Sequence, residues 1–167
     1  MAAENHGPRC GGRTNLVSGQ VIMLDFTGTF KHSKALLVRL TDLTPLGFAF
    51  NYVHQVFFVA GFVDYTDTIL LIGQNGRDPY WVVAKNTVEF YEPIFLDTQV
   101  RVETRIPALG RKSFIFEQQI VGEQDDKIHS RNQAVMVCYS GGLNKSIAVP
   151  DLWRVNVYQY EEKVVSL

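Results

Sequence analysis

The stretch NYVHQVFFVAGFVDYTDTILL, residues 51–71, decides how this chain folds. It holds no proline and one glycine, Gly61, and it is longer than an ordinary strand. Length therefore selects a helix from Asn51 to about Leu71. Apolar side chains occupy nearly every face from Val56 to Val63, and a helix that is apolar all round must be wrapped on most sides. The run Val53–Val63, broken by His54, Gln55 and Gly61, is well short of the roughly 20 apolar residues of a membrane span. It reads as a buried core helix.

The wrapping material follows. Residues 73–79, GQNGRDP, break the chain. Four strand-like runs come next, Trp81–Tyr91, Thr98–Ile106, Ser113–Val121 and Arg131–Tyr139, at the spacing of an antiparallel meander. In the second run Val100, Val102, Thr104 and Ile106 alternate with Arg101, Glu103 and Arg105. Pro93, Leu109-Gly110, Gly122 with Asp125-Asp126, and Gly141-Gly142 mark the turns. Upstream, ALLVRL (Ala35–Leu40) reads as one more strand and TDLTPLG (residues 41–47) as a turn. Leu16–Phe30 stays open between a short edge strand and a hook onto a partner. The order strand, turn, helix, four strands gives an α+β fold, a long antiparallel sheet wrapped around a central apolar helix. One helix cannot cover both faces of a five-stranded sheet, so an open face or edge invites a second copy.

Composition narrows the class. The 167 residues suit one domain, residues 16–167, behind a polar, Gly-rich tail at 1–15. Hydrophobic residues make up 46% and charged residues 20%, which excludes whole-chain disorder. Sixteen basic against seventeen acidic residues give a charge of -1, which argues against a broad grip on nucleic acid. Cys10 and Cys138 are too few for a disulfide framework or a thiolate cage within one chain. The four histidines include no i, i+4 pair, so no metal is expected. With no apolar h-region in the first fifteen residues and no membrane span, a cytoplasmic protein is expected.

The turn at 41–47 leads into the helix start, whose first N–H groups have no acceptor inside the helix. Such donors suit a developing oxyanion without added charge. Asp42, Thr44, Gly47, Asn51, Tyr52, His54 and Gln55 lie around that start. Asp42 and Thr44 fit a turn-shaping role as readily as a chemical one. His54 titrates near neutrality and suits proton transfer, yet it fits equally as a hydrogen-bonded core histidine. Asn86 interrupts an apolar strand and wants partners.

Three stretches carry a resemblance. They are VRLTDLTPLGFAFNYVHQVFF (Val38–Phe58), VEFYEPIFLDTQVRVETRIPALGRKSFIFEQQI (Val88–Ile120) and NQAVMVCYSGGLNKSIAVPDLWR (Asn132–Arg154). In order and spacing they resemble a hotdog-fold thioesterase of the 4-hydroxybenzoyl-CoA thioesterase family, over roughly Lys34 to Arg154. The resemblance implies hydrolysis of an acyl-CoA or acyl-carrier-protein thioester, with coenzyme A as part of the substrate and no separate cofactor. It also implies a homodimer or a dimer of dimers. The implied catalytic candidates are Asp42, Thr44, Gly47, Asn51 and His54. Arg111, Lys112, Ser113 and Lys145 are the implied contacts for the nucleotide end, against a reading as ordinary surface charge. One departure matters: three residues before Gly47 stands Thr44, where the family most often has its catalytic Asp, and Asp42 lies two residues earlier. Two alternatives follow, a catalytically silent acyl-binding hotdog protein and another hotdog enzyme such as a dehydratase. The dehydratase glycine pattern is absent around His54.

Overall fold

A computed structural model describes Phe26, residues 28–72 and residues 79–167. The 1–15 tail, most of Leu16–Phe30 and most of the GQNGRDP break lie outside these residues. The elements run β1 (His32–Leu37), α1 (Asn51–Tyr65), β2 (Tyr80–Phe90), β3 (Gln99–Leu109), β4 (Ser113–Gly122), β5 (Ile128–Ser140), β6 (Lys145–Ser146), α2 (Asp151–Tyr160) and β7 (Val165–Ser166). The long strands form one antiparallel sheet in the order β1-β3-β4-β5-β2, with α1 packed on one face.

The four long runs of the meander form strands, with ends no more than three residues from those expected. Three departures have physical causes. β1 begins at His32 rather than Ala35, because its partner β3 runs from Thr104 opposite His32 to Gln99 opposite Leu37, and there the pairing ends. The central helix stops at Tyr65, and a π-helical turn, Thr66–Leu70, closes it with Leu71 in the left-handed region. The third is α2, which the sequence reading does not contain. Pro150 stands at its N-cap, and Trp153 and Val157, four residues apart, bury one stripe.

Two apolar clusters fill the space between α1 and the sheet. Val53, Phe57 and Phe58 from the first half of α1 pack on Val100, Val102 and Ile120. Tyr65 joins Phe114, Phe116, Met136 and Cys138, with Trp153 and Val157 of α2 extending this layer. Gly61 sets the approach of helix to sheet: a Cβ there would fall 2.6 Å from Val102 Cγ1 and 3.1 Å from Thr104 Oγ1.

The opposite face buries an ion pair. Arg105 donates from Nε to Glu117 at 2.8 Å, and Gln133 donates to the other carboxylate oxygen at 3.3 Å. The start of the described chain shields it, with Phe30 under the Arg105 guanidinium and Phe26 under that of Arg131. A side chain on Gly28 would collide with Arg105, so glycine allows this close crossing. Arg105 therefore breaks the expected polar alternation of β3 by being buried and paired.

Candidate active site at the start of the central helix

The helix start is held by its approach turn. Leu40–Asp42 is a short 3-10 turn, and Asp42 caps it by accepting the Arg39 N–H on Oδ2 at 2.8 Å. Leu43 then bridges Ala49, so residues 43–49 form a small hairpin. Phe50 N–H donates to the Asp42 carbonyl at 3.0 Å, which sets Asp42 beside the residue that precedes α1. Thr44 sits nearer the hairpin tip. Its carbonyl accepts Gly47 N–H at 2.9 Å, its N–H donates to Phe48 at 2.7 Å, and its hydroxyl accepts Leu46 N–H at 3.3 Å. Gly47 has φ +85°, a conformation that suits glycine, which explains its place in the turn. Val53 N–H already donates to Phe50, while Asn51 and Tyr52 occupy the first turn, where helical amides lack internal acceptors. Asn51 and Tyr52 are exposed, and the Tyr52 ring stacks on Phe50.

His54 turns inward from the same helical turn. It is 3% exposed, its Nδ1 lies 2.9 Å from Ser130 Oγ, and the Phe90 ring meets it edge-on at 5.2 Å. Burial, with a smaller contribution from the nearby charge of His129, pushes its pKa down to about 4. The ring is therefore neutral at physiological pH. Ser130 is a site residue that sequence reasoning misses, since no motif surrounds it. His129 is buried at the start of β5, with Nδ1 3.1 Å from the Pro93 carbonyl. Asn86 is exposed on β2 and donates to Gln55 Oε1 at 3.1 Å, tying α1 to that strand. Cys138 is buried, and burial pushes its thiol up to about 12, which leaves no thiolate nucleophile there.

The four basic-end candidates gather elsewhere. Arg111 and Lys112 lie in the turn between β3 and β4, Ser113 opens β4, and Lys112 Nζ donates to the Ser146 carbonyl at 3.2 Å, next to Lys145. Arg154 joins them, donating to the carbonyls of Gly110 and Arg111. This cluster lies at the β4 end where Ser113 faces Val137, whereas His54 lies at the opposite end, where Ile120 faces Ser130. Within one chain the two halves of the expected site are separated by the length of the sheet. A cavity of about 340 Å³ opens at the His54 end, beside the 92–99 loop. Its lining includes Glu92, Asp97 and Asp125, a poor match for phosphates. Among the described residues no cluster of three or more His, Cys, Asp or Glu is arranged to hold a metal.

Residues 50–129 match a family model described as the thioesterase superfamily. With the sheet order and the central helix, this gives the chain a hotdog fold whose central part is similar to the thioesterase superfamily. It is 31% identical over 70 residues to the acyl-CoA thioester hydrolase YbgC of Escherichia coli O157:H7 and of Shigella flexneri. That alignment covers 42% of this chain and 52% of the relatives, so the chain spans about half the length of the curated relatives it matches. A thioesterase from Thermus thermophilus, solved with coenzyme A and Zn, superposes with a TM-score of 0.68 at 25% identity, over 78% of this chain and 99% of that one. Slr0204, a 1,4-dihydroxy-2-naphthoyl-CoA thioesterase from Synechocystis, gives 0.67 at 15% identity, covering 77% and 96%, and shows the shared fold.

Proposed function

We propose that the protein hydrolyses an acyl-CoA, or an acyl-carrier-protein thioester, to a carboxylic acid and a free thiol, and that it works as a homodimer. The observation that carries the reading is the bond from Phe50 N–H to the Asp42 backbone carbonyl, which brings residue 42 beside the amide end of the central helix while its carboxylate accepts the Arg39 N–H. Asp42 is the only acidic residue between Lys34 and Val63. In this reading Asp42 takes a proton from water as the water oxygen bonds to the thioester carbon. The carbonyl oxygen becomes an oxyanion held by the amides of Asn51 and Tyr52. Collapse breaks the C–S bond, and the departing thiolate receives from Asp42 the proton that the carboxylate took from water. Thr44 keeps its turn-shaping role.

The dimer joins the two halves of the site. Among the described residues β2 pairs only with β5, so its other edge is open. Beside it α1 exposes Tyr52, Val56, Val59 and Val63, with Val59 at 59% and Val83 of β2 at 58% exposure. Such an apolar patch beside an open edge suits a second copy. Antiparallel pairing of two β2 edges reverses one sheet against the other. The Arg111, Lys112, Ser113 and Lys145 end of one protomer then lies at the same end as the Asp42 and Asn51 of its partner. Charge-assisted bonds from that cluster hold the CoA phosphates. A reducing, cytoplasmic setting suits the free thiol of Cys138.

A panel of acyl-CoA thioesters, followed by release of free thiol, tests the reading. Turnover of at least one acyl class above the buffer rate is expected. Binding without turnover across the panel contradicts hydrolysis and favours the silent acyl-binding reading, which Thr44 keeps in view.

A further inference from the structure

We infer that Ser130 and His54 form a positioning pair that fixes the first turn of α1, and with it the amides assigned to the oxyanion. This rests on the hydrolytic reading above for its catalytic consequence, while its structural part stands alone. His54 is the fourth residue of α1 and Ser130 the third of β5, and both are fully inside, at 3% and 0% exposure. An apolar side chain at either position would avoid the cost of burying polar atoms. What the pair adds is direction: a 2.9 Å bond sets both the rotation and the rise of the helix, whereas apolar contacts tolerate sliding.

Neighbouring bonds add to the hold on this end. Gln55 Oε1 accepts from Asn86, and Gln118 Nε2 donates to the Phe58 carbonyl at 2.8 Å, with Asn132 in turn donating to Gln118. These tethers fall at residues 54, 55 and 58, the first two turns. The far half of α1 is held separately, by Asp64 accepting from Lys34 at 2.8 Å and lying 3.0 Å from His32 Nε2 on β1, by the Tyr65 hydroxyl donating to Glu161, and by rings, Phe62 on Trp81 and Phe116 and Tyr65 on Phe116. The helix is thus pinned where Asn51 and Tyr52 present their amides, three and two residues before His54. Misplacing such donors by about 1 Å costs up to about 10²-fold in rate, so a modest slackening is visible in kcat.

The test compares wild type with Ser130→Ala and Ser130→Thr, in the full-length protein. The first readout is the kcat and KM split on one acyl-CoA. The second is amide hydrogen exchange, resolved for residues 51–55 against residues 62–65. Ser130→Ala is expected to lower kcat about tenfold with KM within about twofold, and to speed exchange in 51–55 only. Ser130→Thr keeps a hydroxyl on a strand-favouring residue and is expected to restore both. Unchanged kcat and exchange in a folded Ser130→Ala overturn the inference. So does loosening spread evenly over α1 with no rescue by threonine, the signature of a merely structural residue. If wild type turns over no thioester, the hydrolytic reading fails, and exchange alone decides the pair: faster exchange confined to 51–55 supports it, and any other pattern overturns it.

Discussion

At the scale of single residues, the approach turn separates two side chains that the sequence leaves level. Asp42 lies beside Phe50 with one carboxylate oxygen on the Arg39 N–H and the other not committed by that bond, while the backbone and hydroxyl of Thr44 are all used within the hairpin. Asp42→Asn is therefore expected to lower kcat by about 10²-fold with KM little changed, as for loss of a general base. Thr44→Val is expected to cost much less. Steady-state kinetics of the two variants checks this, and a crippled Thr44→Val beside a mild Asp42→Asn contradicts the assignment. His54 gives a prediction with a definite sign. Its folded pKa, about 4, lies below its ordinary value of 6.5, so between those pH values the unfolded chain binds a proton that the folded chain refuses. The contribution is fully present above pH 6.5 and is lost as the pH falls toward 4, by about 3 kcal/mol at most. Burial of His32 acts in the same direction, whereas burial raises the carboxyls of Glu117 and Glu161 and gives them the opposite slope. The clean quantity is thus the difference between wild type and His54→Gln in denaturant unfolding, which is expected to shrink as the pH drops from 7 to 4.5. A difference that does not change with pH contradicts the neutral, buried ring.

At the scale of elements, the helix-to-sheet contact at Gly61 makes a prediction of its own. Gly61→Ala brings a methyl against Val102 and is expected to cost about 1–3 kcal/mol of stability, the usual penalty of overpacking. Val102→Ala should then cost less in the Gly61→Ala background than in wild type, as a double-mutant cycle of unfolding energies would record. The helix and the meander are legible in the sequence because each has a strong period or length: residues 51–71 are too long for a strand, and Val100 to Ile106 alternate. The sequence places the start of β1 three residues late, because that start is set by where β3 supplies partners, a non-local fact. α2 escapes the sequence because its apolar residues, Leu152, Trp153, Val155 and Val157, are spread around the helix and only Trp153 and Val157 are buried. The candidate site is half legible. Asp42 and the helix start follow from the turn and the apolar run, but Ser130 is 76 residues from His54, and nothing local marks it as a partner. Arg105 and Glu117 read as surface charge, since the alternation of one strand cannot reveal a segment lying across its outer face.

At the scale of the whole molecule, the proposed site is made by two chains. The basic cluster proposed for the phosphates and the helix start stand at opposite ends of one sheet, and the proposed antiparallel pairing of β2 edges would bring them together. Two consequences follow for the assembly and its substrate. Val59→Arg with Val83→Arg is expected to convert the dimer to monomer in light scattering and to abolish turnover with it, since charge replaces the exposed apolar patch. A variant that stays dimeric would place the interface elsewhere. Arg111→Ala with Lys112→Ala is expected to raise KM for an acyl-CoA by about tenfold or more, yet to leave KM for a truncated pantetheine thioester nearly unchanged.

The most direct measurement mixes two defective proteins. Asp42→Asn and the Arg111→Ala, Lys112→Ala double variant are unfolded together, refolded as a mixture and assayed on an acyl-CoA held below the double variant's KM. In a mixed dimer one site receives both lesions and the other receives neither. Random pairing therefore restores about a quarter of wild-type turnover, well above the mean of the two proteins refolded separately. Activity no greater than that mean would show that each site is built within a single chain, and would contradict the account.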